Sequence, residues 1–126
     1  MNESQLKGVL VKELRLIPGF VVIPHQERFS HGIPDLSVTG HKITSWLEIK
    51  HANPGFAFKG IQELTMLRLA LAGNAFYVVY YQSKLDERRT YIVSPNEIGK
   101  PMSTWINFVE GFDHRFVVRR IQHDHQ

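Results

Sequence analysis

The sequence predicts one α/β domain in which helices flank a mixed β-sheet. A chain of 126 residues suits a single compact core and leaves little room for a second one. Segments with helical and strand periodicity follow one another in the order helix, strand, hairpin, helix, strand, which is typical of this class. Residues 75–81 (AFYVVYY) form a nearly continuous β-branched and aromatic run, as expected for a central strand covered on both faces.

The first helix is predicted over residues 5–16, with Ser4 as its N-cap and Pro18-Gly19 closing it. Its leucine and valine side chains fall on one arc, and Glu13 falls inside that arc. A carboxylate on an apolar stripe is costly unless it is paired or binds a cation. Glu13 is therefore a candidate functional residue, and a rim position or a salt bridge is the alternative explanation.

A strand is predicted over residues 20–23, followed by a hairpin with arms at 33–39 and 42–51. Gly40-His41 would form its tight turn, of type II′. That turn pairs Val38 with Ile43 and Leu36 with Ser45, which gathers the apolar side chains of both arms on one face.

The remaining elements are a largely apolar and buried helix over 60–72, the strand at 75–81 and another strand at 90–93. Ser94 to Glu97 has the pattern of a capping box that begins a helix. The sequence further predicts a short helix over 103–109, a last strand over 115–121 and a frayed tail from 123.

The composition limits which functional classes are possible for the chain. The chain has no cysteine, which excludes disulfides and thiolate zinc sites. No apolar run has the length of a membrane span, and the N-terminus does not resemble a signal peptide, so a soluble cytoplasmic protein with no membrane partner is expected. The net charge of +3 is compatible with a phosphate-bearing partner. Basic side chains that could form phosphate-contacting patches are Arg88, Arg89, Arg119 and Arg120, together with Lys7, Lys12 and Arg15. For any single one of them, a solvated basic surface is the better explanation.

The predicted hairpin brings three ionisable side chains to one face. Side chains alternate along a strand, so the register that buries the apolar residues places Asp35, Glu48 and Lys50 together on the opposite face. Two neighbouring carboxylates resist ionising together, and Mg²⁺ bound by one or two carboxylates relieves that conflict. Lys50 would add a positive charge for a phosphate. An ordinary exposed strand face with a Glu–Lys pair is the simpler alternative.

The pattern Pro34-Asp35 followed by Glu48-x-Lys50 resembles the PD-(D/E)xK nuclease superfamily. The surrounding segments 31–36 and 46–50, with Gln62 at the start of a helix, are similar to the VRR-Nuc branch. The resemblance covers about residues 5–82, and residues 83–126 form a C-terminal elaboration without a match. A long loop over 53–59 departs from the family pattern and leaves the role of Gln62 open.

The resemblance implies a restriction-endonuclease-like αβββαβ core and a set of site residues. Asp35, Glu48 and the backbone carbonyl of Ile49 would bind Mg²⁺, with Mn²⁺ as a substitute. Lys50 would be the catalytic lysine, Glu13 the acidic residue of the first helix, and Gln62 a helix residue near the site.

The implied function is a metal-dependent DNA endonuclease that acts as a homodimer on branched DNA such as a four-way junction. A sequence-specific restriction-type nuclease is one alternative, with a recognition element in residues 85–126. A non-catalytic nucleic-acid-binding protein that keeps the fold is another. His31 could contact phosphate or water, whereas His123 and His125 in the tail favour only adventitious metal binding.

Overall fold

The sheet and helices follow one another along the chain in a simple order. The computed structural model describes residues 1–25, 33–57 and 64–126. The elements are α1 (Glu3–Arg15), β1 (Val21–Pro24), β2 (Leu36–Gly40), β3 (Ile43–Ala52), α2 (Leu64–Ala72), β4 (Asn74–Gln82), β5 (Arg88–Val93), a 3-10 turn (Met102–Thr104), β6 (Phe108–Glu110) and α3 (His114–Asp124).

In the described ranges, six strands form one mixed sheet in which the spatial order is the sequence order. Among these strands only β3 and β4 pair in parallel, and α2 lies on the connection between them. The other neighbours are antiparallel. The predicted single α/β domain with a mixed sheet is confirmed. The predicted central strand is confirmed too, because residues 75–80 of β4 are all buried.

Each face of the sheet carries its own apolar core. On one face, α1 and α3 pack over the sheet with Leu6, Leu10 and Ile121 fully buried. On the other face, Met66 and Trp105 pack against β4 and β5. A strand buried on both faces must alternate between these two cores, which explains the nearly unbroken apolar sequence of β4.

The N-cap residue of α1 is not the one that was predicted. Asn2 is the N-cap residue, and its side chain accepts a 2.8 Å hydrogen bond from the Gln5 N–H. The Gln5 side chain in turn accepts a bond from the Asn2 N–H, which completes a capping box. Ser4 is therefore inside the helix, and the predicted Ser4 cap is wrong.

The hairpin turn lies one residue further along the chain than expected. His41 and Lys42 have φ values of 54° and 66°, the left-handed pair that a type I′ turn requires, so the predicted type II′ turn at Gly40-His41 is wrong. The register changes with it, since Leu36 pairs with Leu47 and Val38 with Ser45. This shift is two residues, and a period-two strand keeps every side chain on its predicted face.

The C-terminal third contains the largest corrections. Residues 115–121 lie in α3 rather than in a strand, because Asp113 caps the segment and Val117, Val118 and Ile121 pack into the first core. Residues 103–109 contribute to the 3-10 turn and β6 rather than to a helix. After Ser94 the backbone forms successive turns, with the N–H groups of Glu97 and Ile98 both donating to the Ser94 carbonyl, and the predicted helix is absent there.

Two predicted burial states are also wrong. In the described part of α2 only Met66 is buried, while Leu64 and Leu71 are 60% and 89% exposed. In the tail, by contrast, His125 is 1% exposed. Its ring Nδ1 lies 3.1 Å from the Gly40 carbonyl and its Nε2 lies 2.7 Å from Ser45 Oγ. These bonds hold the chain end against the hairpin, so the tail is not frayed at His125.

Candidate functional site

The candidate site is built where β3 continues past its neighbour. The pairing of β2 with β3 ends at Leu36 and Leu47, whereas β3 itself runs to Ala52. Residues 48–52 therefore present a strand edge that β2 does not cover. Backbone groups on such an edge need other partners.

Asp35 supplies the first of these partners. It directly precedes β2, and its Oδ2 accepts a 2.7 Å hydrogen bond from the Ile49 N–H. This contact brings the Asp35 carboxylate next to the Glu48–Lys50 segment of β3, although 14 positions separate Asp35 from Ile49 in the sequence. The N–H and C=O of one residue in an extended strand point to the same side, so the Ile49 carbonyl faces the same edge as the Asp35 carboxylate.

Glu3 supplies the second partner. Its Oε1 accepts a 3.1 Å hydrogen bond from the His51 N–H. The amide nitrogens of Ile49 and His51 are separated by about 6.6 Å along a regular strand, so the carboxylates of Asp35 and Glu3 occupy neighbouring places on one edge. The Ile49 carbonyl lies between these two places.

Glu48 and Lys50 project from the face of β3 that also carries Trp46. Their partners in β4 are Tyr77 and Val79, which belong to the second core. The Glu48 side chain is only 7% exposed, and Lys50 is half-buried. A glutamate and a lysine thus point into a partly enclosed surface rather than into bulk solvent.

Lys7 of α1 also reaches this region. Its Nζ lies 3.7 Å from Asp35 Oδ1, and both side chains are partly buried, at 18% and 30% exposure. Glu3 and Lys7 are one helical turn apart and share one side of α1. The first two turns of α1 therefore place one acidic and one basic side chain beside the start of β2 and the C-terminal end of β3.

Glu13 lies elsewhere on α1. It is ten residues beyond Glu3, about 15 Å along a helix axis and roughly 80° around it. Its charge acts on His114 of α3, whose pKa is lowered by burial and raised to a smaller extent by Glu13 and Asp113. The half-buried Glu13 thus faces the α3 side of the helix pair, and the acidic side chain of α1 that bonds to β3 is Glu3.

His114, on which the charge of Glu13 acts, belongs to an aromatic cluster under α3. Its Nδ1 lies 2.8 Å from the hydroxyl of Tyr80, and burial followed by the charge of Asp113 raises the Tyr80 pKa well above its usual range. Phe112 packs edge-on against Tyr80 and against His51. This cluster supports β3 from the face opposite to Glu48 and Lys50.

Sequence reasoning did not single out His25 among the seven histidines. Its N–H donates to the Asp35 carbonyl (2.8 Å), and its ring Nε2 lies 2.9 Å from Ser37 Oγ. The ring stacks on Trp46 with centroids 5.6 Å apart. His25 thus borders the surface that carries Glu48, but no spacing rule in a single sequence connects it to Asp35.

Glu3 was also missed, although a signal for it exists. A helix that begins at residue 3 places Glu3, Lys7, Leu10 and Leu14 in one row of helical neighbours. Assigning the cap to Asn2 would have included Glu3 in that row. Gln62 and His31, by contrast, lie outside the described residues.

Within the described segments, no group of three or more His, Cys, Asp or Glu side chains is arranged to hold a metal ion. None of the helices in these segments has the length and apolar character that a membrane crossing requires. Comparison of the chain with protein-family models and with curated protein sequences gave no significant match.

Proposed function

We propose that the chain is a metal-dependent nuclease whose site consists of Asp35, Glu48, Lys50 and Glu3. The observation that carries the proposal is the hydrogen bond from the Ile49 N–H to Asp35 Oδ2. It joins the Pro-Asp element to the centre of the Glu-x-Lys element, as a shared site would need. The order helix, three strands, helix, strand, with a parallel pair at β3 and β4, further supports a restriction-endonuclease-like core.

The donor set fits a hard divalent cation. Mg²⁺ is usually bound by one or two carboxylates, with water and substrate phosphate completing its octahedron, so a cluster of three acidic side chains is not needed. Asp35, Glu48 and the Ile49 carbonyl would hold the ion, with Mn²⁺ as a substitute. When bound, it would activate a water molecule and neutralise charge on a phosphate oxygen.

The side chains of the protein would orient the substrate around this set. Hydrolysis forms a new phosphorus–oxygen bond from water, breaks the bond to the sugar oxygen and returns a proton to that leaving oxygen. Lys50 would attract a phosphate oxygen and stabilise the charge that develops on it. Lys7, whose Nζ lies 3.7 Å from Asp35 Oδ1, would add a second positive charge beside the substrate phosphate.

The substrate and the assembly state belong to the same proposal. DNA, branched or duplex, is the substrate that the sequence resemblance favours, and a homodimer would place two sites on opposing strands. The exposed Leu64 and Leu71 of α2 offer apolar surface of the kind that a subunit interface covers. Sedimentation velocity of the purified protein tests the dimer directly, and a strict monomer at micromolar concentration would rule it out.

The deciding experiment compares wild type with Asp35→Asn and Lys50→Ala on linear duplex, single-stranded and four-way-junction DNA. Asparagine keeps an acceptor for the Ile49 N–H while removing the charge. Wild type should cut with Mg²⁺ and not with chelator, and each variant should be about 100-fold slower. Lys42→Ala, an exposed lysine of the same hairpin, serves as the control. If wild type cuts nothing, or if both variants match it, the proposal is wrong.

A further inference from the structure

A groove runs along the solvent side of α1 and carries an unbalanced positive charge. It extends from Met1 to Arg15, is bounded by Pro24 at the end of β1, and encloses about 680 Å³. Lys7, Lys12 and Arg15 are among the residues that line it, and none of the described lining residues is acidic. A concave surface with one sign of charge attracts a ligand of the opposite sign.

The groove begins at the candidate site. Lys7 lines it and also lies 3.7 Å from Asp35 Oδ1. From Lys7 the lining continues over Gly8 to Lys12 and Arg15, about 12 Å further along the helix axis. DNA advances about 3.4 Å per nucleotide along one strand, so this distance corresponds to about three to four nucleotides.

The middle of the groove is open at Gly8. A Cβ placed on Gly8 would meet no heavy atom within 4 Å. Gly8, Lys12 and Arg15 are spaced by four and three residues, so they share one row of the helix surface. A strand lying in the groove could thus approach the helix backbone at Gly8 and meet a cation on the following turn.

Lys12 and Arg15, the two groove cations farther from Asp35, have hydrogen-bond donors available for a ligand. Among the described residues, neither Lys12 nor Arg15 takes part in an ion pair. Arg15 donates one bond from Nη2 to the Val22 carbonyl (3.1 Å), which fixes the side chain beside β1. Its guanidinium has five N–H donors, so the others can form the paired bonds that arginine makes with phosphate.

We propose that this groove binds the sugar–phosphate backbone of DNA next to the cleavage site, with Lys12 and Arg15 contacting phosphates. The proposal rests on the proposed nuclease function for its choice of ligand. The contacts are made to the backbone, so they favour no base sequence. The groove would position the substrate strand, and the residues on β3 would act on it.

Binding is measured by fluorescence anisotropy with a labelled 20-base-pair duplex and its single strand, in EDTA so that nothing is cut. The double variant Lys12→Ala/Arg15→Ala should bind at least tenfold more weakly at low salt. The slope of log K against log salt should also become shallower by about one to two, one for each lost phosphate contact. Lys100→Ala removes an exposed cation that does not line the groove and should change neither quantity.

A second pair of variants separates charge from folding. Gly8→Glu introduces a carboxylate into the groove while improving helix propensity, so it should remain folded by circular dichroism and still bind at least tenfold more weakly. Gly8→Ala adds a side chain at the same place without the charge, so it should weaken binding much less than Gly8→Glu does. The proposal is overturned if wild type does not bind DNA, or if the double variant and Gly8→Glu keep wild-type affinity and salt slope.

The outcomes for binding and cleavage are independent. Loss of binding in these variants, with no cleavage by wild type, would support the groove and reject the nuclease. Cleavage by wild type, with unchanged binding and cutting by the groove variants, would support the nuclease and reject the groove.

Discussion

Asp35 accepts a 2.7 Å hydrogen bond from the Ile49 N–H, on the part of the β3 edge that β2 does not pair with. The bond joins residues 14 positions apart and places a carboxylate beside a backbone carbonyl that faces the same way. Glu3 repeats the arrangement two residues further on, at the His51 N–H. One strand edge thus collects acidic groups from two separate parts of the chain.

Glu3 and Glu13 provide a matched test of which acidic residue of α1 serves the site. Glu3→Gln should slow Mg²⁺-dependent cleavage about tenfold or more, since it removes a charge from the β3 edge, whereas glutamine can still accept the His51 N–H. Glu13→Gln should cost less, because Glu13 acts on His114. Single-turnover cleavage rates at saturating Mg²⁺ measure both. A larger loss for Glu13→Gln would return the role to the residue that the sequence suggested.

The buried His125 should make stability depend on pH. Burial lowers its pKa, against smaller opposing effects of the Gly40 carbonyl and Asp124. The folded pKa is therefore below the unfolded value of about 6.5. Its stabilisation is complete above that value and is lost as the pH falls toward the folded pKa. Urea unfolding of wild type should show a lower free energy of unfolding at pH 5.5 than at pH 7.5.

The variant His125→Gln isolates this contribution. In this variant the free energy of unfolding should differ less between pH 5.5 and pH 7.5 than in wild type. At pH 7.5 the variant should be less stable by about 1–3 kcal/mol, since the buried Ser45 hydroxyl loses a well-placed partner. His123→Gln changes an exposed histidine near the same helix end and should leave the pH dependence intact. Equal behaviour of the two variants would contradict the assignment.

Replacing Gly40 and Gly8 by alanine should change the free energy of unfolding in opposite directions. A Cβ on Gly40 would stand 2.5 Å from Cδ1 of Phe20, a ring that packs against His125, so Gly40→Ala should cost about 1–3 kcal/mol. Gly8 lies inside α1 with open space around it, so Gly8→Ala should add about 0.5–1 kcal/mol. Chemical denaturation of both variants provides the comparison, and changes of the same sign would disagree with the packing around Gly40.

Met66 and Leu71 test the burial of α2. Met66 is fully buried and Leu71 is 89% exposed on the same helix. Met66→Ala should therefore cost about 2–5 kcal/mol, and Leu71→Ala should stay within about 0.5 kcal/mol. Thermal and urea unfolding at low protein concentration avoid any contribution from self-association. A large loss for Leu71→Ala under these conditions would mean that α2 packs more deeply than described.

Local patterns were sufficient to sort the side chains of β2 and β3 between the two faces of the sheet. Leu36 and Val38 pair with Leu47 and Ser45, so an error of two residues in register left Glu48 and Lys50 on their predicted face. Asp35 precedes β2, and its place on the same face as Glu48 and Lys50 stays a prediction. The turn was misplaced because Gly40 looked like the residue with a positive φ, whereas His41 and Lys42 adopt that conformation.

Long-range placement could not be predicted in the same way. The bond between Glu3 and His51 spans 48 residues, and the contact of His125 with Ser45 spans 80. Nothing local in a single sequence specifies such pairs. In α3, the Phe116-Val117-Val118 run favoured a strand, and the cap at Asp113 together with packing against α1 outweighed that propensity.

The end of β3 that β2 does not pair with has a consequence for how the protein behaves in concentrated solution. Free amide hydrogens on a strand margin can recruit a strand from another molecule and start aggregation. In this chain the carboxylates of Asp35 and Glu3 already occupy the amides at Ile49 and His51, and their negative charges repel an approaching backbone carbonyl. Replacing both acids by alanine should therefore reduce solubility, whereas amide replacements would keep those hydrogens engaged.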